Sequence, residues 1–375
     1  MVKPVSLIEV SYRSHPVGRL ALAPDRTCAF EYDREWLISG FSISPFYLPL
    51  KPGVMQARPT PFDGLFGVFN DSLPDGWSRL LLDRWLRSRH IDPNALSVLD
   101  RLSLVGGEGM GALRYAPDQN PGAETISHPL GDIATQVANL LGEETTGSAS
   151  IRSLEELLKL AGSSGGARPK VLVKIDGLEW LVKFRASVDP VNVGELEYQH
   201  SLLAKKAGIE MPETRLFEGS YFGTRRFDRS GEKRIHVHSA SGLLYASHRM
   251  PSLDYAELLK ATMALTRDIN EVARMFRLMV FNVQIGIKDD HAKNFSFVCE
   301  NGSWKLSPAY DLLPSNGFGG QHTTTVNGNG NPTLSDCIEV ARTTGFPKKR
   351  ASEIIAEVME AMRDKKMVKW QNVKW

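Results

Sequence analysis

The chain has 375 residues, 42% hydrophobic and 23% charged, which permits a substantial buried core and two or three domains. Its 45 basic and 43 acidic residues leave a net charge of +2, which excludes a global electrostatic attraction to nucleic acid or an anionic membrane. Three widely spaced cysteines exclude a disulfide framework and a four-cysteine zinc site, and no apolar stretch has the length of a membrane span. We therefore expect a soluble cytoplasmic protein that contacts no membrane.

The first third of the sequence predicts a small α+β unit. Short strand-like runs occupy residues 5–12, 19–23 and 28–32. The segment GWSRLLLDRWLRSR, residues 76–89, has helical spacing. The polar, turn-rich segment YAPDQNPGAETISHPLGD, residues 115–132, is typical of a linker, so the first boundary is predicted near Pro117.

A helix, a glycine-rich loop and a hairpin follow in succession. The helix is SLEELLKLAG, the loop is GSSGGARPK, and two strand runs flank Asp176-Gly177, a strong signal for a two-residue turn. This turn places Lys170 opposite Lys183 on the more polar face. Because like charges directly opposite destabilise a hairpin, the pair favours a bound anion, and the loop could present N–H groups to phosphate oxygens. The alternative is that both lysines solvate an exposed edge.

The second half of the sequence predicts mainly helices. An amphipathic helix spans residues 193–208, strand runs occur around 214–227 and 235–239, and residues 255–287 are helical. The end of that last segment, VARMFRLMVFNVQIGI, is apolar nearly all round, which indicates burial. A final helix is predicted over residues 348–362.

A second hairpin brings polar side chains together. Two strand runs are joined by a turn that holds Asn301-Gly302, so the segment DDHAKN before the first strand should lie beside AYD after the second. Asp289, Asn294 and Asp311 would then cluster at the open end of the hairpin. Their oxygens suit a hard cation such as Mg²⁺, and a spare aspartate could accept a hydroxyl proton. For the neighbouring Asp290, simple solvation is expected.

These motifs carry a resemblance. DDHAKNFSF followed by SPAYDLL resembles the catalytic and metal loops of the HipA family of serine/threonine protein kinases, toxins of bacterial toxin-antitoxin pairs. GSSGGARPK resembles the family's phosphate-binding loop, LVKF its nucleotide-lysine strand, ELEYQHSLLAKKAGI its following helix, RRFDR its lobe hinge and NDSLPDGWSRLLLD its N-terminal domain. The resemblance covers most of the chain.

The resemblance implies an α+β, bilobal, protein-kinase-like fold with an additional N-terminal α+β subdomain. The predicted divisions are an N-terminal subdomain over 1–117, a β-rich nucleotide-binding lobe with the linker over 118–245, and a helical catalytic lobe over 246–375. The implied cofactors are ATP and Mg²⁺.

The resemblance also implies roles for the residues of the second hairpin. Asp289 matches the catalytic aspartate, and Asn294 and Asp311 match the metal ligands; the alternatives are a solvated turn and a turn cap. His291 and Lys293 could orient Asp289 or meet the transferred phosphate, although a lone histidine is more often structural.

On the nucleotide side, Lys183 matches the lysine that holds the phosphates, with Lys170 beside the loop. Glu197 is the candidate partner of Lys183, although Glu195 lies nearby on another helical face and a surface salt bridge is common. Phe227 could pack on adenine or in the core.

The glycine loop carries a predicted regulatory site that also includes Gly165 and Gly166. Ser163 falls where the resembled family has an autophosphorylated serine, and the adjacent Ser164 leaves the choice between the two open. A phosphate there adds negative charge where nucleotide phosphates should sit, so repulsion would inhibit the enzyme. The alternative is that both serines only keep the loop small and polar.

The leading hypothesis is an ATP- and Mg²⁺-dependent serine/threonine kinase whose output is growth arrest. Its implied partners are a HipB-like helix-turn-helix antitoxin, operator DNA mainly through that antitoxin, and a protein substrate, which in the resembled family is an aminoacyl-tRNA synthetase or another translation protein. The first alternative is a catalytically silent module that acts with an antitoxin as a repressor. The second is a metal-dependent phosphohydrolase that uses Asp289, His291 and Asp311.

Overall fold

A computed structural model describes residues 2–122, 129–142, 151–162, 165–231 and 233–363. The chain divides into two compact units, Met1–Gly194 with Arg215–His236 and Glu195–Thr214 with Val237–Trp375. The three-part division made from the sequence stays a prediction.

The described part of the first unit contains two larger sheets, a two-stranded sheet formed by β10 (Arg229–Ser230) and β11 (Lys233–Arg234), and several helices. Its strands are β1 Leu7–Tyr12, β2 His15–Leu22, β3 Cys28–Tyr32, β4 Met55–Gln56, β5 Leu113–Ala116, β6 Lys170–Ile175, β7 Leu178–Lys183, β8 Thr214–Phe217, β9 Tyr221–Arg225, β10 Arg229–Ser230 and β11 Lys233–Arg234. Its helices are α1 Arg34–Ser39, α2 Gly67–Asn70, α3 Gly76–Ser88, α4 Val98–Val105, α5 Leu130–Gly142 and α6 Ile151–Ala161.

The two larger sheets have different strand orders. The first is antiparallel, in the order β4-β3-β2-β1-β5, and the second runs β6-β7-β9-β8. In the β6–β7 hairpin Lys170 pairs with Lys183, which confirms the predicted register. Asp176 and Gly177 both have positive φ, as a two-residue type I′ turn requires.

One hydrophobic core joins the helices of this unit to the hairpin. Trp77 and Leu81 of α3 and Leu157 of α6 belong to the same buried cluster as Trp180 and Val182 of β7. The predicted apolar face of the hairpin is therefore the face that packs against helices, because side chains on a strand alternate between its two faces.

The second unit is mainly helical. Its helices are α7 Val193–Lys206, α8 Ala240–Leu244, α9 Tyr255–Thr266, α10 Ile269–Ile285, α11 Leu334–Thr344 and α12 Lys348–Ala361. Its strands are β12 His236–Ser239, β13 Leu253–Asp254, β14 Ser296–Glu300, β15 Ser303–Leu306 and β16 Thr324–Thr325. The order β12-β14-β15 forms one sheet, and β13 pairs in parallel with β16.

The buried helix α10 is the centre of this unit. Met275, Phe276 and Phe281 are fully buried, as the apolar sequence predicts, and the helix packs against α9, α11 and α12. The predicted helix over 255–287 is two helices, because Arg267 adopts a left-handed conformation and the Asp268 side chain caps α10. Among the described residues, none of the helices is both long and apolar enough to cross a membrane.

Candidate functional site

The glycine loop is attached to the start of α3. Gly166 donates its N–H to Asp75 Oδ1 at 2.6 Å, and Trp77 donates its N–H to the Gly166 carbonyl at 3.0 Å. Asp75 occupies the N-cap position of α3, yet its side chain makes no cap hydrogen bond with that helix. Its carboxylate therefore accepts a hydrogen bond from the loop and does not cap α3. Ser163 and Ser164 lie outside the described residues.

The approach of the two segments requires glycine on both sides. Gly76 has φ +46°, and a Cβ there would lie 2.2 Å from the Gly166 carbonyl oxygen. Gly166 has φ +96°, and a Cβ there would lie 2.6 Å from Lys170 Nζ. A side chain at Gly76 would force the Gly166 backbone away from α3. At Gly166 the end of the Lys170 side chain could move, so the positive φ is the main reason for glycine there.

The two opposed lysines are buried. Lys170 is 5% exposed and Lys183 9% exposed, whereas Lys174, on the same face, is exposed. The Lys170 ammonium donates to the Gly165 carbonyl at 2.5 Å, and the Lys183 ammonium lies 5.7 Å from the centroid of the Phe222 ring. The more polar face of the hairpin is therefore buried at the end nearest the loop, and the alternative that both lysines solvate an exposed edge is wrong.

Two other predicted nucleotide residues differ in exposure. Glu197 on α7 is 4% exposed while Glu195 is exposed, so Glu197 is not one of the surface carboxylates of that helix. Burying a carboxylate is costly unless it is paired. Phe227 is half-buried.

The DDHAKN segment is a tightly bonded loop after α10. Asp289 is exposed, and its N–H donates to Ser315 Oγ at 2.8 Å. Asn294 donates its side-chain amide to the Asp289 carbonyl at 2.7 Å and its N–H to the His291 carbonyl at 2.8 Å. His291 Nδ1 accepts from the Lys293 N–H at 3.3 Å, so its local role is to cap this turn.

The second hairpin brings the AYD segment beside this loop, as its turn predicts. Phe297 pairs with Leu306, and Asn301-Gly302 forms the two-residue turn. The Tyr310 hydroxyl donates to the Lys293 carbonyl at 2.7 Å. The next residue, Asp311, has φ +59°, a conformation that aspartate tolerates better than most residues.

The side-chain oxygens of Asn294 and Asp311 suit a cation that also binds phosphate oxygens. The Asn294 amide nitrogen donates to the Asp289 carbonyl, so its oxygen is the atom that could bind a cation, and Asp311 has carboxylate oxygens. Within the part of the chain that the structure describes, no three His, Cys, Asp or Glu side chains form a cage. Mg²⁺ is commonly held by one or two side chains plus substrate phosphates, so these residues fit it.

The structure corrects the expectation for Asp290, which is 1% exposed instead of solvated. Its carboxylate accepts hydrogen bonds from the Thr323 and Thr324 N–H groups, the Tyr255 hydroxyl and His322 Nδ1. The partners are separated from it by more than 30 residues in the sequence, so no local pattern could have revealed them.

A second buried network surrounds RRFDR. Arg226 and Arg229 both bind the fully buried Asp228 carboxylate, which also accepts the Gly111 N–H at 2.8 Å. Burial alone would raise the pKa of Asp228, but the charge and hydrogen bonds of Arg226, with Arg229, lower that pKa to about 2. This motif therefore holds the loop before β5 in place, because Arg229 also donates hydrogen bonds to the carbonyl groups of Gly109 and Gly111.

Comparison with known proteins places this chain in a family. The HipA N-terminal domain matches residues 8–116 and the HipA-like C-terminal domain matches residues 162–366, more than half of the chain. The chain belongs to the HipA family.

Relatives and a solved structure agree with this membership. Two Sinorhizobium fredii proteins, named "Putative kinase Y4dM" and "Putative kinase Y4mE", are 23% and 28% identical over 86% and 82% of this chain, and over 81% and 77% of their own lengths. HipA of the Shewanella oneidensis MR-1 toxin-antitoxin system, solved with HipB and its operator DNA, superposes with a TM-score of 0.69 at 18% identity, over 96% of this chain and 91% of that one. The α+β fold predicted from the sequence is confirmed.

Proposed function

We propose that this protein is an ATP- and Mg²⁺-dependent serine/threonine protein kinase and the toxin of a toxin-antitoxin pair. The observation that carries the proposal is the pair of buried, opposed lysines at the end of the glycine loop. Ammonium groups beside a glycine-rich loop suit the oxygens of a nucleotide triphosphate, which the N–H groups of the loop can also bind. The S. fredii relatives named as kinases support the same activity class.

In this proposal the chain's residues divide the work of phosphoryl transfer. Lys170 and Lys183 bind nucleotide phosphates, and Asn294 and Asp311 hold the metal. Asp289 accepts the proton of the substrate hydroxyl, which its exposed carboxylate suits. Mg²⁺, when bound, neutralises phosphate charge that develops during transfer.

The proposal extends to regulation and partners. Phosphorylation of Ser163 or Ser164 would place about two negative charges beside the phosphate-binding lysines and so inhibit nucleotide binding. The S. oneidensis structure, which contains HipB and operator DNA, supports an antitoxin partner that contacts DNA. We place the protein in the cytoplasm, where its target would be a protein of translation.

The test is transfer of label from ATP to lysate proteins in the presence of Mg²⁺. Asp289→Ala and Asp311→Ala should abolish the transfer, whereas Asp268→Asn should not, since Asp268 caps α10 and asparagine is an equally good cap. Label transfer that survives both alanine substitutions would refute the assigned site.

A second candidate is a silent module that acts with an antitoxin as a repressor, and the same solved complex favours it. Such a protein would bind operator DNA with its antitoxin but show neither label transfer nor stabilisation by ATP. Melting-temperature shifts with ATP and Mg²⁺ distinguish the two candidates.

A further inference from the structure

Two adjacent aspartates of the loop after α10 lie in opposite environments. Asp289 is exposed, whereas Asp290 is 1% exposed. A buried carboxylate is costly unless its oxygens are hydrogen-bonded, and Asp290 receives four hydrogen bonds on its side chain. The residue next to the proposed catalytic base therefore has a specific structural partner.

One oxygen of Asp290 binds backbone. Oδ1 accepts the N–H groups of Thr323 and Thr324 at 2.9 and 3.1 Å. Thr324 returns a hydrogen bond from its hydroxyl to the Asp290 carbonyl at 2.5 Å. These bonds fix the segment before α11 against residue 290 from both its side chain and its main chain.

The other oxygen connects this contact to the helical core. Oδ2 accepts the Tyr255 hydroxyl at 3.0 Å and His322 Nδ1 at 2.8 Å, and Tyr255 in turn accepts the Asn282 side-chain amide at 2.8 Å. Burial, followed by the charge of Asp290, raises the pKa of Tyr255 well above its usual value. Tyr255 is thus kept as a neutral donor that belongs to α9, while Asn282 belongs to α10.

The same segment also holds the two residues before Asp290. Thr323 shares its N–H between Asp290 Oδ1 and the Lys288 carbonyl and donates its hydroxyl to the same carbonyl, and Ser315 accepts the Asp289 N–H. The Lys288 ammonium donates to the Gly320 carbonyl at 2.7 Å. The backbone on either side of the Asp289 carboxylate is therefore bonded to residues 315–324.

We propose that Asp290 is a positioning residue for phosphoryl transfer, and this inference rests on the proposed function. Its buried carboxylate holds residues 322–324 against the loop, which fixes the backbone from which the Asp289 carboxylate reaches the substrate hydroxyl. Displacement of a catalytic group by about 1 Å costs on the order of 100-fold in rate. Asp290 itself does not touch the reacting atoms.

The experiment compares Asp290→Ala and Asp290→Asn with the matched control Asp268→Asn. Three quantities are measured: label transfer at saturating ATP, the melting shift caused by ATP and Mg²⁺, and hydrogen exchange of the Thr323 and Thr324 amides. Asp290→Ala should lower transfer on the order of 100-fold, keep the melting shift and speed the exchange of the Thr324 amide. The Thr323 amide should change less, because it also donates to the Lys288 carbonyl. Asp290→Asn retains an oxygen for these amides, so it should keep their protection and recover most of the transfer.

A second pair of variants carries the test if Asp290→Ala does not fold. His322→Asn keeps a side-chain N–H near the position of Nδ1, whereas His322→Ala removes the donor to Asp290. We expect transfer within about threefold of wild type for His322→Asn and about tenfold lower for His322→Ala, with an unchanged melting shift in both.

Several outcomes would overturn the inference. If Asp290→Ala transfers label as fast as the active wild-type protein, the positioning role is rejected and the proposed function stands. The same conclusion follows if the alanine and asparagine variants lose transfer equally, both at Asp290 and at His322. Loss of the melting shift in parallel with transfer would show a general structural role instead. Wild-type protein that neither transfers label nor responds to ATP rejects the proposed function, and the positioning role of Asp290 with it.

Discussion

The glycine loop and the loop after α10 are both held by an aspartate that accepts backbone N–H groups, but they are held to different degrees. Asp75 is half-buried and binds the Gly166 amide across 91 residues of sequence. Asp290 is fully buried and joins its loop to α9, α10 and residues 322–324. The comparison teaches that the loop with the proposed base is preorganised by its unit, whereas the glycine loop depends on a few contacts for which an incoming phosphate could compete.

The largest expected effect comes from the preorganised loop. Asn294→Ala removes both the donor to the Asp289 carbonyl and a proposed metal ligand, so label transfer should fall on the order of 100- to 1000-fold. Asn294→Asp keeps the ligand oxygen and loses only the donor, so its loss should be smaller. Initial rates across a Mg²⁺ titration measure both variants, and an Asn294→Ala rate within threefold of wild type would contradict the assignment.

The next effect tests how closely the glycine loop must approach α3. Gly76→Ala places a Cβ 2.2 Å from the Gly166 carbonyl oxygen at a positive φ, so the free energy of unfolding should fall by about 2–3 kcal/mol and ATP should bind about tenfold more weakly. Gly219→Ala is the matched control, because Gly219 also has positive φ but nothing lies within 4 Å of its Cβ position. Urea unfolding and nucleotide titration measure the two quantities. Equal ATP affinities in both variants would show that the contact is irrelevant to binding.

The unit that contains the glycine loop should also lose stability in acid. The pKa of Asp228 is about 2 in the folded protein, below its ordinary value of 3.8, so its stabilising contribution is complete above pH 4 and disappears as the pH falls through 2. The size of this loss is roughly 2 kcal/mol. Urea unfolding between pH 5 and pH 2 measures it, and Asp228→Asn should show a shallower decline over the same interval. An identical decline in that variant would assign the acid sensitivity to other groups.

The smallest effect is expected from removing one of the contacts that hold the glycine loop. Asp75→Ala removes the acceptor of the Gly166 N–H, so exchange of that amide should become about tenfold faster. Asp75→Asn keeps an acceptor oxygen and should exchange nearly as slowly as wild type. If the alanine variant leaves the exchange rate unchanged, Asp75 does not restrain the loop.

Local sequence signals were sufficient for both hairpins. Asp176-Gly177 and Asn301-Gly302 each determine a two-residue turn, and alternation then determines the register and the buried face. Helix α10 was evident from its apolar sequence, although the break before it depended on Arg267 and on the cap at Asp268.

Contacts between distant segments were the part that the sequence could not provide. Whether Asp290 is solvated or buried depends on Tyr255 and on residues 322–324, and the use of Asp75 by the glycine loop depends on a helix that precedes it by some 90 residues. The burial of Lys170 likewise follows from tertiary packing and not from strand alternation. The roles assigned to the site residues stay predictions.

The shared core of α3 and β7 has a consequence for dissecting the protein. The match to the HipA N-terminal domain ends at residue 116, and the match to the C-terminal domain begins at residue 162. Trp77 from the first match and Trp180 from the second are nevertheless buried in one cluster. A fragment that starts after residue 117 would expose one side of that cluster and release Gly166 from Asp75 and Trp77. Domain boundaries drawn from sequence families therefore do not mark an autonomous folding unit, and expression of the C-terminal match alone should yield aggregating protein.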